Sequence, residues 1–271
     1  MTGINRQRVQ SSFHRGAGEY DQHTPVQQRV LQQLMQLIGQ YPFAPDATVL
    51  DVGCGTGRLL ELLGQRYPWA VLTGLDLAPN MLKQAAERLP ETVCLLQGDA
   101  EQLPFADSSF QLVLSSSTFQ WLDSLQCCFS EMRRVLEPAG RCLFSLFGEG
   151  TLCELRESWQ QALLNTGREG TEQNNGTHRF HCCDQVQQAL ELTGFRDVMV
   201  WSEPEQVWYP DVPHLLQAIK RIGAGTARPL PGGGLGWRRV LHEMAAIYYE
   251  RFGTPDGVPV SYSVIYAAGR R

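Results

Sequence analysis

No stretch of apolar residues approaches the ~20 needed to cross a bilayer, although hydrophobic residues make up 43% of the 271. Positive charge is not concentrated anywhere. Charged residues are 19% of the chain, the formal net charge is −5, and no Lys/Arg run occurs. A nucleic-acid backbone needs dense cationic charge, so nucleic acid is excluded as the main partner. The eight cysteines include the neighbours Cys127-Cys128 and Cys182-Cys183 but no C-x-x-C pair. Metal-ligand spacing is therefore missing, and no metal is expected. Met1 to Ser12 is polar without a signal-peptide core, so a cytoplasmic setting with free thiols is the expectation.

What is present alternates. Residues 1–24 are polar with apolar anchors at Val9, Phe13 and Tyr20. Val26, Val30, Leu34, Leu37 and Ile38 then recur at helical spacing, and Pro42 and Pro45 end that helix. Short strands follow at 48–52, 70–75, 93–97, 110–115 and 140–146, with helices at 56–67, 79–89 and 125–136 between them. Strands alternating with helices predict a parallel sheet wound on both faces, its ligand edge at the strand carboxyl ends. Later segments predict helices at 154–164, 184–192, 212–222 and 237–252 and strands at 198–208 and 260–267. The Gly-rich stretch 165–178 reads as a mobile loop and 224–236 as a connector. No internal repeat or domain linker is visible, so one domain is expected over 1–271. It divides into an N-terminal helical cap (1–45), a cofactor-binding core (46–147) and a substrate-side half with a helical insertion and final strand (148–271).

The first strand runs into Asp51-Val52-Gly53-Cys54-Gly55-Thr56-Gly57. Glycine there permits a tight turn and lets a ligand approach the backbone. A Gly-rich turn alone is weak evidence, because nicotinamide enzymes use a related one. Three features sharpen it. The spacing is G-x-G-x-G; Asp51 lies inside the strand, suited to orienting the turn and a ligand's amino-acid part; and Asp76 ends the second strand, where a carboxylate accepts from both ribose hydroxyls. Asp99-Ala100 after the third strand is placed to meet an adenine, and Met81, beyond Asp76-Leu77, to pack on its face.

The run Val49 to Gly57, then Gly74-Leu75-Asp76-Leu77-Ala78-Pro79-Asn80-Met81, then Gly98-Asp99-Ala100-Glu101-Gln102-Leu103-Pro104-Phe105, resembles the class I S-adenosylmethionine-dependent methyltransferases. The resemblance implies a Rossmann-like α/β fold: a seven-stranded sheet with helices on both faces and the last strand antiparallel. It also implies S-adenosylmethionine as cofactor and S-adenosylhomocysteine as product. The cofactor-binding set it implies is Asp51, Gly53, Cys54, Gly55, Gly57, Asp76, Leu77, Met81, Asp99, Ala100 and Ser115.

Outside those blocks the chain resembles one subgroup, the malonyl-acyl-carrier-protein O-methyltransferases of biotin synthesis. Phe13-His14-Arg15-Gly16-Ala17-Gly18-Glu19-Tyr20-Asp21 is similar to that family's Phe-Gly-Arg-Ala-Ala-x-x-Tyr block, with His14 in place of Gly. Phe119-Gln120-Trp121, Gly148 to Leu155 with Trp159, His178-Arg179-Phe180 (His for Asn), Lys220-Arg221-Ile222-Gly223-Ala224 and Val260-Ser261-Tyr262 complete the match. The resemblance implies methyl esterification of the free carboxylate of a malonyl thioester, on an acyl carrier protein or CoA. A carboxylate is already anionic at neutral pH, so such a reaction needs no general base. Tyr20, Gln120, Trp121 and Arg179 are the expected catalytic residues. Arg15, Lys220 and Arg221 are expected to meet substrate or carrier, although an arginine is ordinarily a solvated surface residue. The same motifs would serve a methyltransferase of another small carboxylate or ring acceptor, or a non-catalytic cofactor binder. Neither membrane nor nucleic acid is an expected partner, and the sequence does not set the oligomeric state.

Overall fold

The computed structural model describes residues 6–17, 20–41, 44, 46–168, 180–221 and 235–271. In chain order the elements are α1 (Arg6–Gly16), a 3-10 turn (Tyr20–His23), α2 (Pro25–Ile38), β1 (Thr48–Val52), α3 (Arg58–Arg66), β2 (Val71–Asp76), α4 (Pro79–Arg88), β3 (Cys94–Gln97) and β4 (Phe110–Ser116). After a second 3-10 turn (Phe119–Trp121) come α5 (Leu125–Val135), β5 (Leu136–Phe147), α6 (Cys153–Asn165), α7 (Cys183–Leu192), β6 (Arg196–Tyr209), α8 (Val212–Arg221), α9 (Leu235–Phe252) and β7 (Val258–Arg270). The strands form one seven-stranded sheet ordered β3-β2-β1-β4-β5-β7-β6. The first five run parallel, and β7 is antiparallel to both β5 and β6. This is the sheet expected from the sequence.

Apolar clusters hold it. One joins β1, β4 and β5 to α5 and α7 through Phe119, Phe129 and Phe144, whose ring centroids lie 5.0–5.9 Å apart. Aromatic pairs at that spacing add stability beyond their buried area. A second packs α3 and α4 through Leu59, Leu60, Leu63 and Ala85. A third joins α6, α8 and α9 to the start of β7, centred on Trp159, Leu215, Met244 and Tyr248. The expected helices at 212–222 and 237–252 therefore exist, and they pack on α6.

Four elements depart from expectation. Residues 6–16, read as polar with isolated anchors, form α1. Its Val9 and Phe13, with Ala17 one turn further on, recur every four positions, the interval that lines up one helix face. Val9 and Ala17 are buried, and Ala17, with Phe13 packed alongside, meets Ala78 and Met81 of the α4 entry. β5 begins at Leu136, directly after α5, with a register shift against β4 between Phe110 and Leu112. β6 and β7 are longer than expected because each pairs along nearly its whole length with the other. The expected loop over 165–178 and connector over 224–236 lie largely outside the described residues.

Candidate active site

The carboxyl ends of β1, β2 and β4 open into a cavity of about 1270 Å3, counted with its open mouth. Its floor is backbone. Gly53, Gly55 and Gly57 all take positive φ (75°, 54° and 79°), a region that glycine enters without the Cβ penalty. The Gly53 and Cys54 amides both donate to the Leu75 carbonyl, at 2.7 and 2.9 Å. A Cβ on Gly53 would collide with the Thr118 side chain, and one on Gly57 would come within 2.7 Å of Leu89 Cδ1. Gly53 and Gly55 line the cavity; Gly57 starts α3 behind it.

Two carboxylates face this floor. Asp76 accepts from the Gly55 amide at 2.9 Å and the Ala78 amide at 2.8 Å, one on each oxygen. A carboxylate has about four acceptor sites, so capacity remains for a ligand hydroxyl. Burial raises its pKa, opposed by the amides of Ala78, Gly55 and Leu77. Asp51 is 1% exposed, and its Oδ1 has no hydrogen-bond partner. Burial and then the nearby Asp76 push its carboxyl up to about 8. A buried acceptor without a partner is costly, and an acidic pair aimed into a cavity suits a cationic guest. Cys54, Leu77, Met81, Asp99 and Ala100 also line the wall. The Asp99 carboxylate accepts from the Glu101 amide at 2.9 Å.

Ser115 requires a correction. It is fully buried, and its hydroxyl donates to the Val52 carbonyl at 2.7 Å, so it braces β4 against β1. The cavity is lined instead by Ser116, Ser117 and Thr118. Ser117 has φ 55° and a buried Oγ without a partner. Strained backbone with an unpaired polar atom is a mark of functional positions. No sequence signal set Ser117 apart from its serine neighbours.

Gln120 is also not a cavity residue. It is 1% exposed. Its Nε2 donates to the Ser117 carbonyl at 2.7 Å, and its Oε1 accepts from the Phe147 amide at 3.3 Å. Gln120 is therefore a positioning residue that ties the ends of β4 and β5 together. Trp121 and Tyr20 do line the cavity.

The roof comes from the N-terminal segment. Val9, Gln10 and Phe13 of α1, Tyr20 and Asp21 of the turn, and Gln27, Gln28 and Leu31 of α2 face the cavity. Gln10 donates to the Leu77 carbonyl at 2.8 Å, and Asn80 donates to the His14 carbonyl at 2.9 Å. The Phe13 ring stands edge-on to Tyr20 and Trp121, at 6.2 and 5.7 Å. The Tyr20 phenol is raised above its ordinary value by burial, then by Asp21 and Asp76. Of the expected cationic contacts, Arg15 lies on α1, with its side chain outside the described residues; Arg179 is wholly outside them. Lys220 and Arg221 are exposed at the end of α8 and are not among the residues that line the cavity. No His, Glu or Lys is found among the described residues that line it.

The model for the family described as "Methyltransferase domain" matches residues 50–144, the stretch that builds this floor. The malonyl-acyl-carrier-protein O-methyltransferase of Geobacter sulfurreducens is 46% identical over 270 residues, covering 99% of this chain and 100% of the relative. The chain belongs to the malonyl-acyl-carrier-protein O-methyltransferase family. The likeness extends to the biotin biosynthesis bifunctional protein BioHC of Cellvibrio japonicus, at 33% identity over 98% of this chain and 50% of that protein. Among solved structures, the YcgJ protein of Bacillus subtilis superposes with a TM-score of 0.60 at 19% identity, over 89% of this chain and 98% of that one, which shows the shared fold. The 46% identity extends over 99% of this chain, so it takes in the segments on both sides of residues 50–144.

Proposed function

We propose that this chain methylates the free carboxylate of a malonyl thioester carried on acyl carrier protein, as a step of biotin synthesis. The observation that supports it most is end-to-end identity to a relative named for that reaction, together with a cavity whose chemistry suits it. S-adenosylmethionine, when bound, supplies an electrophilic methyl on a sulfonium: the acceptor oxygen takes the methyl, and the C–S electron pair stays on sulfur in S-adenosylhomocysteine. The residues fit that group. The partnerless Asp51 oxygen and the Asp76 carboxylate offer negative charge and acceptors, and the side-chain-free Gly53 and Gly55 leave room at the turn.

The chain's own contribution is to bind, orient and exclude water. Asp76 holds the glycine turn in shape while keeping capacity for the donor's sugar. Tyr20, Phe13 and Trp121 close an aromatic roof over the cavity. Of the four carboxylates at the wall, three are committed elsewhere, Asp21 to Thr56 and Arg88, Asp76 to two amides and Asp99 to the Glu101 amide, while Asp51 keeps an oxygen without a partner. An acceptor that is already anionic requires no general base.

In this reading residues 1–45 roof the donor, 46–147 bind it, and 148–271 form the acceptor side of the same domain. Arg179 and Arg15 are assigned to the malonyl carboxylate, and Lys220 and Arg221 to the carrier, since arginine grips carboxylates through paired donors. The eight cysteines are all free, as a reducing cytoplasm would keep them. No helix among the described residues is long and apolar enough to cross a membrane.

The test incubates the purified chain and S-adenosylmethionine with malonyl-acyl-carrier protein, or with malonyl-CoA, and looks for the methyl ester by mass spectrometry. Ester on the carrier-bound substrate is the expected result. Donor binding without ester on either substrate would remove the assignment, and ester on CoA alone would reassign the carrier.

A further inference from the structure

We propose that Arg88 is a positioning residue for the donor: it latches the roof to the glycine turn and so governs how fast the nucleoside leaves. Arg88 is the last residue of α4 and does not itself line the cavity. Its guanidinium reaches two walls at once. One nitrogen donates to Asp21 Oδ2 at 2.5 Å, in the roof. Another donates to the Thr56 carbonyl at 2.7 Å and the Thr56 hydroxyl at 2.9 Å, in the floor. The Thr56 hydroxyl in turn donates to Asp21 Oδ1 at 2.8 Å. Both Asp21 oxygens are thereby engaged, and Asp21 and Thr56 both face the cavity. Glu61 lies 3.5 Å from Arg88 Nε and holds the guanidinium from behind.

The arrangement bridges two otherwise separate parts of the wall. Among the described residues, other ties of the roof run from Gln10, His14 and Phe13 to Leu77, Asn80 and Trp121, from Arg29 to Glu205 and Gln206, and from the Met35 carbonyl to Arg66. Among the described residues, the Asp21–Thr56–Arg88 triangle ties the roof to the glycine turn. Side-chain exposure is 25% for Arg88 and 36% for Asp21, so the pair is partly shielded from solvent and stronger than an exposed ion pair. Arginine suits it because its planar fork can donate to a carboxylate and a carbonyl together, which a lysine cannot reproduce. A nucleoside beneath the roof must wait for this triangle to open.

The inference rests on the donor site and not on the acceptor assigned above, so its test uses binding of S-adenosylhomocysteine alone. That ligand carries no net charge, and the salt dependence of its release therefore reports the latch rather than the ligand. Arg88→Ala should speed dissociation, read by stopped flow, about tenfold, as expected for loss of charge-assisted hydrogen bonds. Arg88→Lys should recover part of that loss. Asp21→Asn, which keeps an acceptor for Thr56, should act like Arg88→Ala. Added salt should speed release from the unmodified protein and leave Arg88→Ala unaffected. If Arg88→Ala does not fold, the Lys and Asn variants and the salt series decide the matter. Release rates that match the unmodified protein in the folded variants, or a salt response that persists without Arg88, overturn the proposal.

Discussion

The floor and the roof of the cavity are built by different means. The floor is backbone: three glycines at positive φ, two amides on the Leu75 carbonyl and two on Asp76. The roof is held by side chains: Gln10, Asn80, Phe13 against Trp121, and the Asp21–Thr56–Arg88 triangle. Backbone geometry tolerates few residue types, because a Cβ there meets a disfavoured backbone angle and, at Gly53 and Gly57, a neighbouring side chain. Side-chain ties can be made by many combinations. The floor should therefore fail abruptly under substitution and the roof by degrees.

The sharpest break is expected at Gly53→Ala. The new methyl would meet Thr118 at a backbone angle that disfavours any side chain, and donor affinity by calorimetry should fall by more than about a hundredfold. Gly55→Ala, with open space around its Cβ, should lose less; equal losses would dissolve the distinction between the two positions. Asp76→Ala should weaken donor binding by about 1–3 kcal/mol, through unpaired ribose hydroxyls and a loosened Gly55. Unchanged affinity would refute the sugar role. Gln120→Leu leaves the Ser117 carbonyl and the Phe147 amide unpaired. It should destabilise the fold by about 1–3 kcal/mol in chemical denaturation and lower kcat, while donor affinity stays within about twofold. A donor affinity that falls with kcat would move Gln120 from the β4–β5 edge to the floor.

The smallest effect concerns protons. Asp51 is raised to about 8 in the free protein, from an ordinary 3.8. Between those values the unfolded chain binds fewer protons than the native one. Its contribution to stability therefore falls as pH rises through that window and levels off above it. A cation seated in the cavity reverses the preference. Binding of S-adenosylmethionine near pH 7 should release a fraction of a proton and tighten as pH rises toward 8. S-adenosylhomocysteine, lacking the sulfonium, should release less. Calorimetry in buffers of different ionisation enthalpy measures both, and equal release by the two ligands would remove Asp51 from the cation's surroundings.

The same contrast explains what could be read from the residues. The wound parallel sheet and the glycine turn were legible because strand–turn–helix with glycines at fixed spacing leaves few backbone solutions, and the antiparallel last strand was implied by the family resemblance; the order of the strands was not legible. Asp76 was legible as a residue at a strand end, but its grip on Gly55 and Ala78 was not, since amide partners leave no mark on side-chain pattern. α1 escaped because a single apolar residue per turn is too thin a stripe to separate from a polar coil. Ser115 was mistaken for a cavity residue because four polar residues run from Ser115 to Thr118, and only the pleat decides which of them turns outward. Gln120 was placed at the chemistry for its position after β4; its amide turned inward because two buried backbone groups needed a partner. Arg88 carried no motif at all, and only folding brings it beside Asp21.

β6 and β7 are the two arms of one hairpin, yet residues 210–257 lie between them and carry α8 and α9. Closing a loop of that length costs only about 2 kcal/mol more than closing a four-residue turn. Pairing along both arms fixes where the excursion leaves and rejoins the sheet, whatever it contains. The hairpin thus works as a socket, and the module it holds is seated by packing of α8 and α9 on α6 and the start of β7. The excursion leaves and rejoins at the β6–β7 edge of the sheet, whereas the glycine turn follows the central β1.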